Sequence, residues 1–331
     1  MIPNKITDLI GNTPVLSLQL KNTKWKLILK LEKYNPWQSM KDRMALSMVN
    51  HAELNWYLKP WGTIIESSSG NTAIWLSIVS AQKGYKFIAI VDHHTAKNKI
   101  AIMKAYWAEI VYVYSNKGDW HVAVQEREIL AKKMSTEIPN SYRTNQADNP
   151  ANSQWYYDTL WNELIYQIDW KLDIFIWSIW TWWSLCGTAR RLKENNKSIN
   201  VYWVEPIGSV IFWGKDWPYY QSGSWNPGNV EIAQNIDYDI IDKWYKVSDK
   251  DAFTTAIFLA KKKWILVWWT SWGVLYQAIK IITWLPWVWT MCAILPDWWE
   301  KYLDTIFNED WIKNKKLYNK NTEKILLDAI I

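Results

Sequence analysis

Asn35-Pro36-Trp37-Gln38-Ser39-Met40-Lys41-Asp42-Arg43 follows a strand-like apolar run, residues 26–32, and leads into a helix-like one, residues 44–49. A lysine at such a turn stands over the carboxyl end of a sheet, where open α/β proteins bind their ligands. Alone, the position says little, since lysines at helix starts are usually just solvated. Two further stretches repeat the pattern. Ile64-Ile65-Glu66-Ser67-Ser68-Ser69-Gly70-Asn71-Thr72-Ala73 runs strand, hydroxyl-rich turn, helix start, and Ile176-Trp177-Ser178-Ile179-Trp180-Thr181-Trp182-Trp183-Ser184-Leu185 does so again.

Outward from these turns the chain alternates. Periodicity predicts helices over 42–52, 71–83 and 97–106 between strands over 63–66, 86–92 and 109–114, then an amphipathic helix from about 120 to 134. Asn145-Gln146-Ala147-Asp148-Asn149-Pro150 is a polar connection and a candidate lobe boundary. Strands over 173–179, 200–205, 265–268 and 290–295 then alternate with helices over 184–194, 251–263 and 273–282. Residues 208–229 read as a long loop, and the lysine-rich tail 313–331 as a solvated terminal segment. Helices between short apolar strands indicate an α/β fold of two lobes, each a twisted, mostly parallel sheet with helices on both faces. The expected division is a larger lobe of residues 1–40 and 146–312 and a smaller one of residues 41–145.

At 331 residues the chain is long enough for such a core. Its net charge of +6 is scattered rather than gathered in a stripe, so nucleic-acid binding is not expected. Two cysteines, Cys186 and Cys292, are too few and too distant for a disulfide framework or metal site. His93 and His94 have no acidic or cysteine partner at ligand spacing and read as polar loop residues. No apolar run of spanning length and no signal peptide is evident, so no membrane is expected and the default location is cytoplasmic.

Together with Ile10-Gly11-Asn12-Thr13-Pro14, the three turns resemble the cysteine synthase/cystathionine β-synthase family of pyridoxal-phosphate enzymes, over residues 5 to 312. The resemblance implies the tryptophan-synthase-β fold, fold type II, and has one systematic fault. The family's asparagine-proline-glycine-glycine-serine loop reads Asn35-Pro36-Trp37-Gln38-Ser39 here, and its glycine-rich phosphate loop reads Trp180-Thr181-Trp182-Trp183-Ser184.

Physical chemistry raises the same objection without any family. Trp107, Trp264 and Trp284 follow helix-like runs at positions where glycine is preferred for its left-handed backbone, and Trp61 sits in a turn after Pro60. The chain holds 29 Trp against 11 Gly, while glycine is normally about 7% of residues. Forcing a side-chain-bearing residue left-handed costs roughly 1–2 kcal/mol. Roughly twenty such sites would exceed a typical total stability of about 5–15 kcal/mol. A decoding difference reconciles the two: UGA meaning glycine in the source but translated as tryptophan. Only five arginines accompany 33 lysines, as in an AT-rich genome. UGG codons at 180, 182 and 183 would end that explanation. Trp244 and Trp311 match family tryptophans. Were the rest genuine too, a non-catalytic relative or a chain that does not fold would be the alternative.

What the resemblance implies for chemistry is specific. Lys41 matches the Schiff-base lysine, which also carries the Cα proton. Trp180, Thr181, Trp182, Trp183 and Ser184 match the phosphate cradle at a helix start. Asn71 matches the residue bonded to the cofactor's ring hydroxyl. Ser68, Ser69, Gly70 and Thr72, completed by Gln146, match the substrate-carboxylate loop. Thr270 takes the place of the hydroxyl at the pyridine nitrogen, with Ser271 next to it should the alignment slip by one. A neutral hydroxyl there leaves the nitrogen largely unprotonated, which suits β-elimination. The expected activity is therefore β-replacement on serine or an O-activated serine by a thiol or amine nucleophile, with cysteine synthase ranked first. Asp242-Lys243-Trp244-Tyr245 and Asn308-Glu309-Asp310-Trp311 look more like cystathionine β-synthase, and Gly208-Ser209-Val210-Ile211-Phe212 more like diaminopropionate-pathway relatives. A homodimer is implied by the resemblance alone.

Overall fold

The computed structural model describes residues 2–115, 123–178, 183–221, 237–266, 269–284, 289–298 and 304–331, with backbone alone for 183–185 and 269–270. The strands are β1 (Val15–Leu18), β2 (Lys26–Leu31), β3 (Thr63–Ser67), β4 (Lys86–Asp92), β5 (Glu109–Val113), β6 (Ser141–Arg143), β7 (Ile174–Trp177), β8 (Asn200–Pro206), β9 (Lys243–Val247) and β10 (Thr290–Leu295). The helices are α1 (Lys41–Leu54), α2 (Asn71–Lys83), α3 (Lys97–Ala105), α4 (Val124–Glu137), α5 (Pro150–Trp155), α6 (Trp161–Gln167), α7 (Trp183–Asn195), α8 (Asp249–Lys263), α9 (Trp269–Trp284), α10 (Glu309–Asn314) and α11 (Lys320–Ala329).

Two units form. The first, Met1–Ile10 with Lys41–Trp155, is built on a parallel sheet in the order β5-β4-β3-β6. β3 is buried at every residue, which explains its unbroken Ile64-Ile65 run: a strand covered on both faces has no polar side to show. The second unit, Gly11–Met40 with Tyr156–Ile331, carries the sheet β1-β2-β10-β7-β8-β9. Only β1 runs antiparallel to its neighbour there. The expected mixed α/β architecture is thus observed, in two sheets that are mostly parallel. The sequence pattern missed β1, β6, β9 and the helical stretch from Pro150 to Gln167. β9 escapes because its outer half is exposed and its charges break the apolar run.

Three expectations need correcting. Ile265 and Leu266 form no strand, and residues 267–268 lie outside the described residues. The tail is not merely solvated: α11 buries Leu326 and Ala329 and packs on α8. Asn319 caps α11 by accepting from the Asn321 and Thr322 N–H groups, while its side-chain amide donates to Asp251 at 2.8 Å. Amphipathic spacing and a good cap outweigh the lysines, which keep to the outer face. Trp284 is the last residue of α9 and has no positive φ.

Trp61, Trp107 and Trp264 take the left-handed backbone expected of them, and Trp56, Trp170 and Trp213 join them, with φ from 55 to 74°. At the end of α3 the Trp107 N–H donates to the Lys104 carbonyl and the Ala108 N–H to the Met103 carbonyl, the Schellman closure that glycine normally makes. α2 ends the same way with Gly84 at φ 78°. The six indoles are 58–84% exposed, so burial returns little of the backbone cost. Trp244 and Trp311 differ: Trp244 stacks on Phe212 at 5.7 Å, Trp311 meets Tyr220 edge-on at 5.4 Å, and neither has a positive φ.

Candidate active site

The backbone leading to Lys41 is fixed atom by atom. Buried Glu32 accepts from the Thr13 hydroxyl at 2.6 Å and from the Asn35 amide at 3.0 Å. Asn35 in turn accepts from the Gly11 N–H at 2.9 Å. The tight turn that follows puts Gln38, not Trp37, at φ 62°. Met40 is held at both ends, its N–H donating to the Pro296 carbonyl and its own carbonyl accepting from the Tyr156 hydroxyl, each at 2.8 Å. Lys41 then opens α1 and is 7% exposed. A cation in the first turn of a helix opposes the macrodipole, where acidic groups are favoured. Lys30, the other buried lysine of this region, is structural: it donates to the Thr13 carbonyl, Glu163 and Gln167 at 2.6, 2.7 and 2.9 Å.

α1 packs beside α2, whose entry is the Ser68–Thr72 turn. The Gly70 N–H donates to the Ser68 hydroxyl at 3.2 Å. Gly70 has extended backbone, and a Cβ built on it would meet nothing nearer than the Ser68 oxygen at 3.8 Å. Neither conformation nor packing therefore requires a glycine. Asn71 is the first residue of α2, and the N-cap Gly70 before it offers no side-chain cap. Thr72 is buried and donates to Gln146 Oε1 at 2.6 Å, bringing together two of the sequence-predicted residues. That bond occupies the Gln146 side-chain oxygen and leaves its NH2 as donor.

Gln146 is itself held from behind, by residues the sequence reading did not single out. Its N–H donates to Glu66 Oε2 at 3.3 Å, and its carbonyl accepts from the Asn152 amide at 2.9 Å. The Thr144 hydroxyl donates to the same Glu66 oxygen. Burial pushes the Glu66 carboxyl up to about 7. The available signal was a lone carboxylate in the apolar run Ile64-Ile65-Glu66.

Of the second unit's predicted residues, Trp180, Thr181 and Trp182 lie outside the described residues. Trp183 and Ser184 open α7, and Thr270 is the second residue of α9. Ser271, one position on, is fully buried, and its hydroxyl has no hydrogen-bond partner among the described residues. The His93 and His94 rings meet at a tilt, 4.0 Å apart, and His93 stacks on Tyr114 at 5.4 Å. Among the described residues no group of three or more His, Cys, Asp or Glu could hold a metal ion, and no helix is long and apolar enough to cross a membrane. Cys186 and Cys292 are buried free thiols, pushed by burial up to about 11 and about 12, which makes them packing rather than nucleophiles.

Comparison with known proteins gives the family and the fold. Residues 6–282 match the family described as pyridoxal-phosphate dependent enzyme. A putative cysteine synthase of Sinorhizobium fredii is 42% identical over 317 residues, covering 96% of this chain and 94% of that protein. Cystathionine β-synthase of Mus musculus is 32% identical over 317 residues, and the match spans 55% of that protein. The crystal structure of O-ureido-L-serine synthase superposes with a TM-score of 0.84 at 27% identity, covering 95% of this chain and all of that one.

Proposed function

This chain belongs to the pyridoxal-phosphate dependent enzyme family, and from that we propose that it replaces the β-substituent of O-activated serine, as a cysteine synthase does. Three local features fit the cofactor and its substrate: a buried lysine heading a helix, a buried hydroxyl at Ser271 with no partner among the described residues, and open space over the Gly70 backbone. Lys41 would hold the cofactor's aldehyde carbon, Asn71 its ring hydroxyl, and Thr270 its ring nitrogen, with Ser271 as the alternative. Thr181, Ser184 and the backbone of 180–184 would hold the phosphate, which requires glycine rather than indole at 180, 182 and 183. Bound, the group supplies the electron sink that lets the Cα proton and then the β-substituent leave.

The remaining work falls to side chains. Lys41 would also serve as the base, its Nζ taking the Cα proton. Ser68, Ser69, Gly70 and Thr72 offer hydroxyls and helix-start N–H groups to the α-carboxylate, and the Gln146 NH2 completes that seat. The observation that carries this reading is the Thr72–Gln146 bond, which occupies Gln146 Oε1 and leaves its NH2 as the group to meet the carboxylate. Gly70→Ala tests the seat. Because a Cβ there meets open space, unfolding should change by no more than about 0.5 kcal/mol. The KM for the amino acid should rise roughly tenfold or more as the methyl obstructs the carboxylate. An unchanged KM would remove Gly70 from the site.

Among nucleophiles we favour sulfide. The support is the 42% identity to a putative cysteine synthase, against 32% to cystathionine β-synthase. Protein with glycine at 180, 182 and 183, supplied with pyridoxal phosphate, should form cysteine from O-acetylserine and sulfide faster than it condenses serine with homocysteine. The reverse preference would favour the cystathionine reading, and replacement by an amine the diaminopropionate one. We further infer a cytoplasmic homodimer, supported by the resemblance. A sedimentation profile of single chains would contradict it.

A further inference from the structure

Behind the substrate turn lies an acid that the reaction as proposed leaves without a task. Glu66 is the fourth residue of β3, 2% exposed, and directly precedes the Ser67–Ser68–Ser69 turn. One of its oxygens receives both the Thr144 hydroxyl and the Gln146 N–H. Asn149 braces the same segment, its amide donating to the Thr144 carbonyl and the Tyr142 hydroxyl at 2.8 Å each. Gln146 is thus pinned at three atoms: N–H by Glu66, carbonyl by Asn152, and Oε1 by Thr72. Only its NH2 remains to meet a ligand.

We propose that Glu66 positions the substrate-carboxylate seat by holding the Gln146 N–H and the Thr144 hydroxyl on one oxygen, and that its charge state sets how tightly an amino-acid carboxylate binds there. This rests on the assignment of Gln146 and Thr72 to that seat. The physical reason is simple. An ionised Glu66 would place a negative charge one residue's breadth behind a site that must accept another. A neutral one braces Gln146 without repelling the substrate.

The charges around Glu66 do not cancel this effect. From α4, Glu128 adds repulsion, and Arg127 is drawn to Asp92 at the end of β4, 3.4 Å away. From β6, Arg143 attracts it but is bonded to Glu128, and the Tyr142 ring stands beside it. Lys83, the sole charged side chain of α2, lies at that helix's far end and pairs with Glu53 at 2.7 Å. Desolvation remains the largest influence and favours the acid form to about 7.

The sign follows from linkage. A carboxyl whose folded value exceeds its unfolded one keeps its proton longer when folded, so stability falls as pH rises between those two values. Substrate carboxylate binding should raise the Glu66 value further, and each unit of that rise is a tenfold loss of affinity above it.

The test uses holoprotein with glycine at 180, 182 and 183, and L-alanine, which has no β-leaving group, titrated calorimetrically from about pH 6 to about pH 8.5. Wild type should lose roughly tenfold more affinity across that range than Glu66→Gln. Glu66→Gln should also show a thermal midpoint that gains roughly 2–4 °C on wild type between the low and high pH. Thr144→Val removes a bond that favours the ionised form and should move the wild-type limb to higher pH, which keeps the idea testable if Glu66→Gln folds poorly. Parallel profiles for wild type, Glu66→Gln and Thr144→Val would overturn the proposal while leaving the seat intact, provided Gln146→Ala weakens L-alanine binding. If Gln146→Ala binds L-alanine as wild type does, the seat assignment fails and this proposal with it.

Discussion

Lys41→Ala should abolish turnover, by roughly 10³–10⁴-fold or more, while the protein still folds. A positioned general base alone is worth roughly 10²–10⁴, and this amine is asked both to hold the cofactor and to carry the Cα proton. The fold should tolerate the change, because alanine is the best helix former and the substitution removes a cation from the positive end of α1. The expected signature is therefore an unfolding midpoint at or above that of wild type, together with loss of the visible band of a lysine-bound pyridoxal phosphate. Adding a small primary amine such as ethylamine should restore part of the rate by supplying the missing nitrogen. A variant that keeps its colour and more than about a tenth of its rate would take Lys41 out of the chemistry.

The second large effect concerns stability. Changing Trp56, Trp61, Trp107, Trp170, Trp213 and Trp264 together to glycine should stabilise the chain by roughly 6–12 kcal/mol, from about 1–2 kcal/mol at each left-handed residue. The thermal midpoint should rise by roughly 10–20 °C or more. Alanine at the same six positions separates the two possible origins. It removes the exposed indoles but keeps a Cβ that the left-handed region disfavours. The alanine set should therefore recover much less than the glycine set. Equal gains from both would place the cost in the exposed indoles instead of the backbone.

These six positions also show how far the sequence could be read. Trp107 and Trp264 were legible because a helix period stops just before each and a strand or apolar run restarts just after, the signature of a left-handed helix end. Trp284 follows the same pattern yet ends α9 without that turn, because sequence spacing cannot say whether the last residue of a periodic run lies inside or outside its helix. In the 35–40 loop the left-handed residue is Gln38, where the surrounding hydrogen bonds, not the residue type, dictate the conformation.

The helix-start positions of Lys41, Asn71 and Thr72 were legible because hydroxyl and glycine residues interrupt apolar strands there. Glu66 was not. A buried acid inside β3 looks like noise in an apolar run until Thr144 and Gln146, some eighty residues later, arrive on the neighbouring strand's extension. Sheet order was likewise hidden. β10 inserts between β2 and β7, the first and last thirds of the chain meeting as neighbours, and no local pattern encodes such pairing. The tail misled because five lysines fall between residues 313 and 324, although Thr322, Leu326 and Ala329 share one buried helical face.

Reducing the pyridoxal-phosphate-loaded protein with borohydride, then digesting it and sequencing the labelled peptide by mass spectrometry, tests the central assignment most directly. The phosphopyridoxyl group should be found on Lys41, in the peptide that contains Asp42. A label on Lys30 or any other lysine, or a protein that binds the cofactor yet yields no labelled lysine, would contradict it.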